Sequence, residues 1–276
     1  MKTKAIVVAF IVSIYFLFTG CNKRSHVIYA IKPNGNLEWY KHLGYKNGND
    51  KWANDGKFIQ VGEDWTTTIR YAFRANSNII YGIKPNGDLG IYRHFGWQNG
   101  VVAWDYESHF RKIAEGWDDV KYAFSGGGEI IYVVKQNGDL GWYKHTGQED
   151  GSDNWANNGT FKKIASGWQN YVAVFSTGNG IIYGIKQNGD VEWYKHLGYL
   201  DGSDNWVNNG SFKKVAENWN NILQAFSGGD KIIYVLKTNG DLGWYKHIGQ
   251  QEGTNNWANN GDFKKIASSW NFYNVF

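Results

Sequence analysis

A single cysteine, Cys21, and two prolines are present in 276 residues. With one thiol no intrachain disulfide can form, and a thiolate metal site is excluded. Neither charge sign dominates: 29 Lys and Arg face 25 Asp and Glu, interleaved in short stretches along the chain. The clustered positive charge that nucleic-acid binders use is missing, so no nucleic-acid partner is implied. No stretch keeps apolar residues at a sustained 3.6-residue period, which rules out a helical solenoid. The G-x-S-x-G, H-E-x-x-H and P-loop patterns do not occur.

What the chain has is glycine (35) and aromatics: 15 Trp, 18 Tyr and 15 Phe. Gly-rich turns between aromatic and β-branched runs indicate an all-β protein. The runs repeat. Tyr29, Tyr81, Tyr132, Tyr183 and Tyr234 are spaced by 52 and then 51 residues. In step follow an Asn-Gly pair (Asn34-Gly35 to Asn239-Gly240) and an aromatic-basic-His triplet (Tyr40-Lys41-His42 to Tyr245-Lys246-His247). A first tryptophan comes next (Trp52, Trp104, Trp155, Trp206, Trp257), then a phenylalanine (Phe58, Phe110, Phe161, Phe212, Phe263). A second tryptophan closes each unit (Trp65, Trp117, Trp168, Trp219, Trp270).

The third unit shows how each divides. Residues 130–136 and 139–145 read as two strands joined at Asn137-Gly138, which predicts a type I′ hairpin with both residues at positive φ. A polar loop over 146–159 leads to a third strand, 161–165, and Ser166-Gly167-Trp168 crosses to a fourth, 171–176. Four strands in about 50 residues is the size of a propeller blade. Runs such as Ile181-Ile182-Tyr183-Gly184-Ile185 are apolar on both faces, as strands between two sheets would be. The predicted fold is therefore an all-β five-bladed propeller of four-stranded antiparallel blades. The first unit lacks a preceding inner strand and residues 271–276 supply a spare one, so the C-terminal strand is expected to close the ring.

The five polar loops carry the most suggestive chemistry. Asp153-Asn154-Trp155, Asp204-Asn205-Trp206 and Asn255-Asn256-Trp257 are full copies; Asp50-Lys51-Trp52 and Ala103-Trp104-Asp105 are partial ones. Sugar hydroxyls suit carboxylates and carboxamides, and the C–H face of a pyranose packs on an aromatic ring. The same residues also fit a structural role, with Trp as a wedge between blades and Asp or Asn capping a turn. The five histidines of the repeat (His42, His94, His145, His196, His247) fit strand-end bonds to loop carbonyls better than a metal ring. Lys162-Lys163 and its equivalents read as a solvated outer edge. Carboxylates that break the symmetry, Glu38, Glu192 and the segment Asp105-Tyr106-Glu107, lie in separate units with no common pattern, which argues against catalysis.

Residues 1–21 stand apart. Lys2 and Lys4 precede an apolar stretch over 5–19, shorter than the roughly 20 residues of a membrane span, and an export signal is expected. Gly20-Cys21 fits a lipoprotein processing site; an ordinary cleaved signal and an uncleaved anchor are the other readings. All three export the protein, secreted or anchored facing outward, with residues 22–276 as the folded domain.

The Tyr-rich hairpin, the Asp-Asn-Trp loop, the Lys-Ile strand and the Gly-Trp crossover resemble the tachylectin family of five-bladed propeller lectins. Trp142-Tyr143-Lys144-His145-Thr146-Gly147 is similar to the version found in bacterial members. The resemblance covers residues 25–276. It implies one pocket per blade, between adjacent blades, for N-acetylglucosamine or N-acetylgalactosamine, with no metal or other cofactor. It further implies as ligands Asp153, Asn154, Trp155, Asp204, Asn205, Trp206, Asn255, Asn256 and Trp257. The first blade keeps Asp50 and Trp52 but carries Lys51. The second keeps Trp104 alone, with Ile91 in place of the hairpin Trp, so that three good sites, one partial and one lost are expected. The implied protein is a monomeric, multivalent glycan binder; a scaffold for a protein partner and a glycan-processing enzyme are the alternatives.

Overall fold

The computed structural model describes residues 26–76, 78–105 and 110–276. Residues 1–21, where an export signal ending at Cys21 is expected, and Tyr106 and Glu107 lie outside the described residues. Among the described residues, twenty strands form five four-stranded antiparallel sheets arranged as the blades of a propeller. Blade one holds β1 (Val27–Ile31), β2 (Leu37–Lys41) and β3 (Ile59–Gly62). Blade two holds β4 (Tyr71–Arg74), β5 (Ile79–Ile83), β6 (Leu89–Arg93) and β7 (Arg111–Ala114). In blade three are β8 (Val120–Gly127), β9 (Ile130–Lys135), β10 (Leu140–Lys144) and β11 (Lys162–Ala165). Blade four has β12 (Tyr171–Gly178), β13 (Ile181–Lys186), β14 (Val191–Lys195) and β15 (Lys213–Ala216). Blade five has β16 (Ile222–Gly229), β17 (Ile232–Lys237), β18 (Leu242–Lys246) and β19 (Lys264–Ala267).

The last strand, β20 (Asn274–Val275), pairs with β1 and completes blade one, as the spare C-terminal segment predicts. Only two residues are in register, but Phe276 N–H donates to Tyr29 O at 2.9 Å and Tyr29 N–H returns a bond to Phe276 O at 2.8 Å.

Strands β1, β5, β9, β13 and β17 are buried on both faces, because each sits between two neighbouring sheets. The apolar cores accordingly lie between blades; one joins Ile28, Ala30 and Tyr40 of blade one to Tyr234, Leu242 and Trp244 of blade five. The indole of Trp142 donates to Tyr199 O of the next blade at 2.8 Å, and Trp244 spans the ring closure to Tyr45 O at 2.8 Å. On the outermost strand β11, Lys163 is exposed, in keeping with a solvated edge.

The hairpin turn differs from the type I′ expectation. Of Asn137-Gly138 only Gly138 lies at positive φ (87°). Gly138 N–H bonds Lys135 O and Lys135 N–H bonds Asp139 O, both at 2.9 Å, which makes a type I turn followed by a left-handed Gly bulge. The Asn137 side chain holds this form by accepting the Asp139 N–H at 2.9 Å. The carbonyl of Gly138 then accepts the N–H of Trp168, and the same bond recurs from Trp65, Trp117, Trp219 and Trp270 at 2.9–3.0 Å. Each crossover tryptophan is thereby locked onto its own hairpin.

Candidate functional site

A cavity opens at the blade two–three interface, between the crossover Trp117 and the loop Trp155, with Tyr143 at its base and Asp153, Asn158, Gly159 and Glu115 at its rim; its volume is about 290 Å³. Trp117 stacks on Tyr143 (centroids 4.9 Å apart) and Trp155 meets Tyr143 edge-on at 6.0 Å. Burial pushes the Tyr143 hydroxyl up to about 12, so it stays a neutral donor at physiological pH. The blade four–five interface repeats the arrangement with Trp219, Tyr245, Trp257, Asn255, Asn260 and Gly261 around a larger space of about 590 Å³.

Trp104, Trp155 and Trp257 are wall and wedge at once, and all five loop tryptophans are wedges. Each donates its indole N–H to a backbone carbonyl of the preceding blade: Trp155 to Ile113 O (3.1 Å), Trp206 to Ile164 O (3.1 Å), Trp257 to Val215 O (2.7 Å), Trp104 to Val61 O (2.7 Å) and Trp52 to Ile266 O (3.0 Å). Each also packs on the strand-end histidine of its own blade, at 4.0–4.7 Å.

The histidines bond loop carbonyls. In each, Nε2 lies 2.7–2.9 Å from one such oxygen (Asn49, Val101, Ser152, Ser203, Thr254), and Nδ1 lies 2.6–2.9 Å from the hydroxyl of a tyrosine in the preceding blade. Tyr29–His94, Tyr81–His145, Tyr132–His196, Tyr183–His247 and Tyr234–His42 form a belt that ties every blade to the next.

The predicted Asp-Asn-Trp sets separate in space. Asp153 and Asn255 reach the pockets, whereas Asn154 is exposed and turns its amide to Ser152 Oγ at 2.8 Å. Asn205 and Asn256 are exposed too, and their backbone carbonyls accept the N–H groups of Gly198 (3.1 Å) and Gly249 (2.9 Å). Asp204 and Asp50 accept the indole N–H of their own tryptophans, Trp206 (2.8 Å) and Trp52 (2.7 Å). In blade two the residue two before the tryptophan is Val102, which together with Trp104, Trp65, Tyr92 and Glu63 lines a cavity of about 300 Å³ with no Asp or Asn at that position.

The amide that sequence reasoning missed belongs to a left-handed turn. Asn157, Asn158 and Gly159 have φ of 51°, 53° and 69°, and Asn259, Asn260 and Gly261 have 54°, 54° and 77°. Asn and Gly are the residues that enter this region at least cost, and the turn brings Asn158 and Asn260 to the rims. The signal was present as the Asn-Asn-Gly triplet, which recurs at Asn208-Asn209-Gly210.

The Tachylectin family profile matches residues 21–168 and 111–275, together nearly the whole chain. The chain belongs to the Tachylectin family. Tachylectin is a family of lectins. No curated protein matches the sequence. Among solved structures, the computationally designed Ika4 protein is 9% identical, with 65% of this chain and 91% of that one covered at a TM-score of 0.36. Prp20p from Saccharomyces cerevisiae is 13% identical at a TM-score of 0.40, with 88% of this chain covered and 61% of that one. The designed Ika8 protein is 9% identical at 0.40, covering 87% and 73%. Likeness at that level says nothing about function; the Tachylectin assignment rests on the profile match.

Proposed function

We propose that the protein is a multivalent, metal-independent lectin for N-acetylated amino sugars, N-acetylglucosamine or N-acetylgalactosamine, and not an enzyme. The observation that carries this reading is the pocket itself: two indole walls, a phenol base and a rim of carboxylate and carboxamide, repeated around a rigid ring. A pyranose ring packs its C–H face on the indole, and its hydroxyls and acetamido group pair with Asp153 and Asn158, or with Asn255 and Asn260. Asp204, Trp206 and Asn209 serve the fourth blade, and Asp50, Trp52 and Asp55 the first. The second, with Val102 at its rim, binds least. Asn154, Asn205 and Asn256 act by shaping the loop through their backbone.

Several such sites on one monomeric ring suit clustered glycans, since simultaneous engagement raises apparent affinity by roughly 10²–10⁴ without new contacts. Export and an outward-facing N-terminal anchor would place the ring where such glycans occur. Calorimetric titration with N-acetylglucosamine and N-acetylgalactosamine, with and without a chelator, tests the reading. Saturable, chelator-insensitive heat at several sites per chain is expected. A cooperatively folded protein that gives no heat with either sugar would favour a protein-binding scaffold.

A further inference from the structure

The junction between blades two and three shows how this ring satisfies a buried carboxamide. Gln148 is 3% exposed; its Nε2 donates to the Tyr81 hydroxyl at 3.0 Å, and its Oε1 accepts from Asn76 Nδ2 at 2.8 Å. Two repeats on, the junction between blades four and five carries Tyr183 and Gln250 in the same places, but Gly178 stands where Asn76 does. Gln250 is 6% exposed and its Oε1 has no hydrogen-bond partner. The backbone there is fixed, because Gln250 O accepts the Trp193 indole N–H at 2.8 Å. The other blades have Tyr45, Trp97 and Tyr199 at this position, and Tyr45 is covered by the stacked ring of His26. A buried acceptor left open in one copy of a repeat is unfavourable by itself and calls for a partner from outside.

Gln250 lines a cavity of about 670 Å³ that shares no residue with the inter-blade pockets described above. It is walled by the β8–β9, β12–β13 and β16–β17 hairpins. Strand β12 packs against both β8 and β16, so these hairpins converge beside the propeller axis. They lie at the end of the blades that carries the histidine belt, where His145 N–H bonds Glu129 O. The crossover tryptophans of the sugar pockets, Trp117 and Trp219, are bound instead to the Asn-Gly hairpins at the opposite end.

The chemistry of this funnel is balanced. Two ammonium groups, Lys144 and Lys231, are matched by two carboxylates, Glu129 and Asp230, and Lys144 Nζ lies 3.7 Å from Glu129 Oε2. With no net charge, the site does not select an ion. Thr177, Asn179 and Gln250 add hydroxyl and amide groups, and Tyr199 and the exposed Leu200 give one apolar side. A neutral molecule with several hydroxyls and a C–H face matches that wall: a hydroxyl donates to Gln250 Oε1 while the C–H face packs on Tyr199. The volume falls in the range of small-molecule sites, roughly 300–1,000 Å³.

We propose that the axial funnel is a second, single-copy saccharide site, which takes one neutral sugar unit with Gln250 Oε1 as the acceptor for one of its hydroxyls. It stands apart from the repeated pockets and does not require that they bind amino sugars.

The test is amide NMR on the uniformly ¹⁵N-labelled full chain, titrated in turn with glucose, galactose, mannose and N-acetylglucosamine. The side-chain amides of Gln250 and Asn179 report the funnel, and those of Asn158 and Asn260 report the repeated pockets. At least one of the four sugars is expected to shift the Gln250 and Asn179 signals saturably, and equally so in D153A/N255A. Gln250→Met keeps the volume and removes the acceptor. Affinity at the funnel, read on Asn179, should then fall about tenfold, with no drop in melting temperature because Oε1 has no bond to lose. Gln148→Met, which breaks two bonds, should melt lower. Funnel signals that move with none of the four sugars, that move only while Asp153 and Asn255 are intact, or that respond as in the wild type when Gln250 is Met would overturn the proposal. So would a melting drop in Gln250→Met as large as in Gln148→Met. Silence of Asn158 and Asn260 towards N-acetylglucosamine would count against the lectin reading alone.

Discussion

A carbonyl oxygen can only accept a hydrogen bond, so the five strand-end histidines must carry their proton on Nε2 where they face Asn49 O, Val101 O, Ser152 O, Ser203 O and Thr254 O. Nδ1 is then the acceptor for a buried tyrosine hydroxyl, and a second proton there would force that hydroxyl to turn its own proton away to another acceptor. Burial holds all five pKa values below the ordinary 6.5 and takes His26 down to about 4. Between the folded and unfolded pKa values the unfolded chain binds more protons. The stabilisation is therefore complete above about pH 6.5 and is lost as pH falls through the depressed folded values. Melting temperature should be level from about pH 7 to 8 and drop progressively below about 6.5; a rise on acidification would contradict the neutral belt. Removing one donor, Tyr132→Phe, strands His196 Nδ1 in the core and should cost about 1–3 kcal/mol by chemical denaturation. Asp153→Ala removes an exposed rim carboxylate, so sugar affinity at that pocket should fall about tenfold with melting hardly changed.

At the level of the element, the Asn-Asn-Gly turn couples backbone conformation to the pocket. Asn157 sits at φ 51° without lining the cavity, and Asn158 at φ 53° at its rim. Left-handed backbone costs an ordinary L-residue about 1–2 kcal/mol, and glycine escapes that cost. Asn157→Ala should destabilise by about that amount while Asn157→Gly does not, as read by thermal melting. Equal melting of the two variants would mean that the turn relaxes. The hairpin turn makes the same point. Asn-Gly marks a tight turn in either geometry, but the choice between type I′ and type I with a bulge depends on the Asn137 side chain and on the crossover Trp168 docking to Gly138 O.

For the whole molecule the decisive contact is the shortest strand. Besides pairing with β1, the C-terminal segment accepts Ala72 N–H of blade two on Asn274 Oδ1 at 2.8 Å and donates Val275 N–H to Gln224 Oε1 of blade five at 2.7 Å. Phe276 packs on Tyr29 at 5.8 Å. Three blades meet on six residues, so deleting 271–276 should lower a single cooperative calorimetric transition rather than fray one end. An unchanged melting temperature would show that the ring closes without them.

The architecture is legible in the sequence because a five-fold repeat prints its landmarks five times. Blade count, strand order, the closing strand and the double burial of β13 all follow from spacing and apolar runs. The walls of the pocket were legible in part: Trp155 and Asp153 stand out in the loop, whereas Trp117 is read as a crossover residue and Asn158 falls unmarked in the polar loop over 146–159. Those two come from opposite sides of a blade interface. The sequence by itself determined which residues recur and hence the ring; tertiary structure decided which of them share a cavity, because each pocket is assembled from two blades and no one repeat contains it.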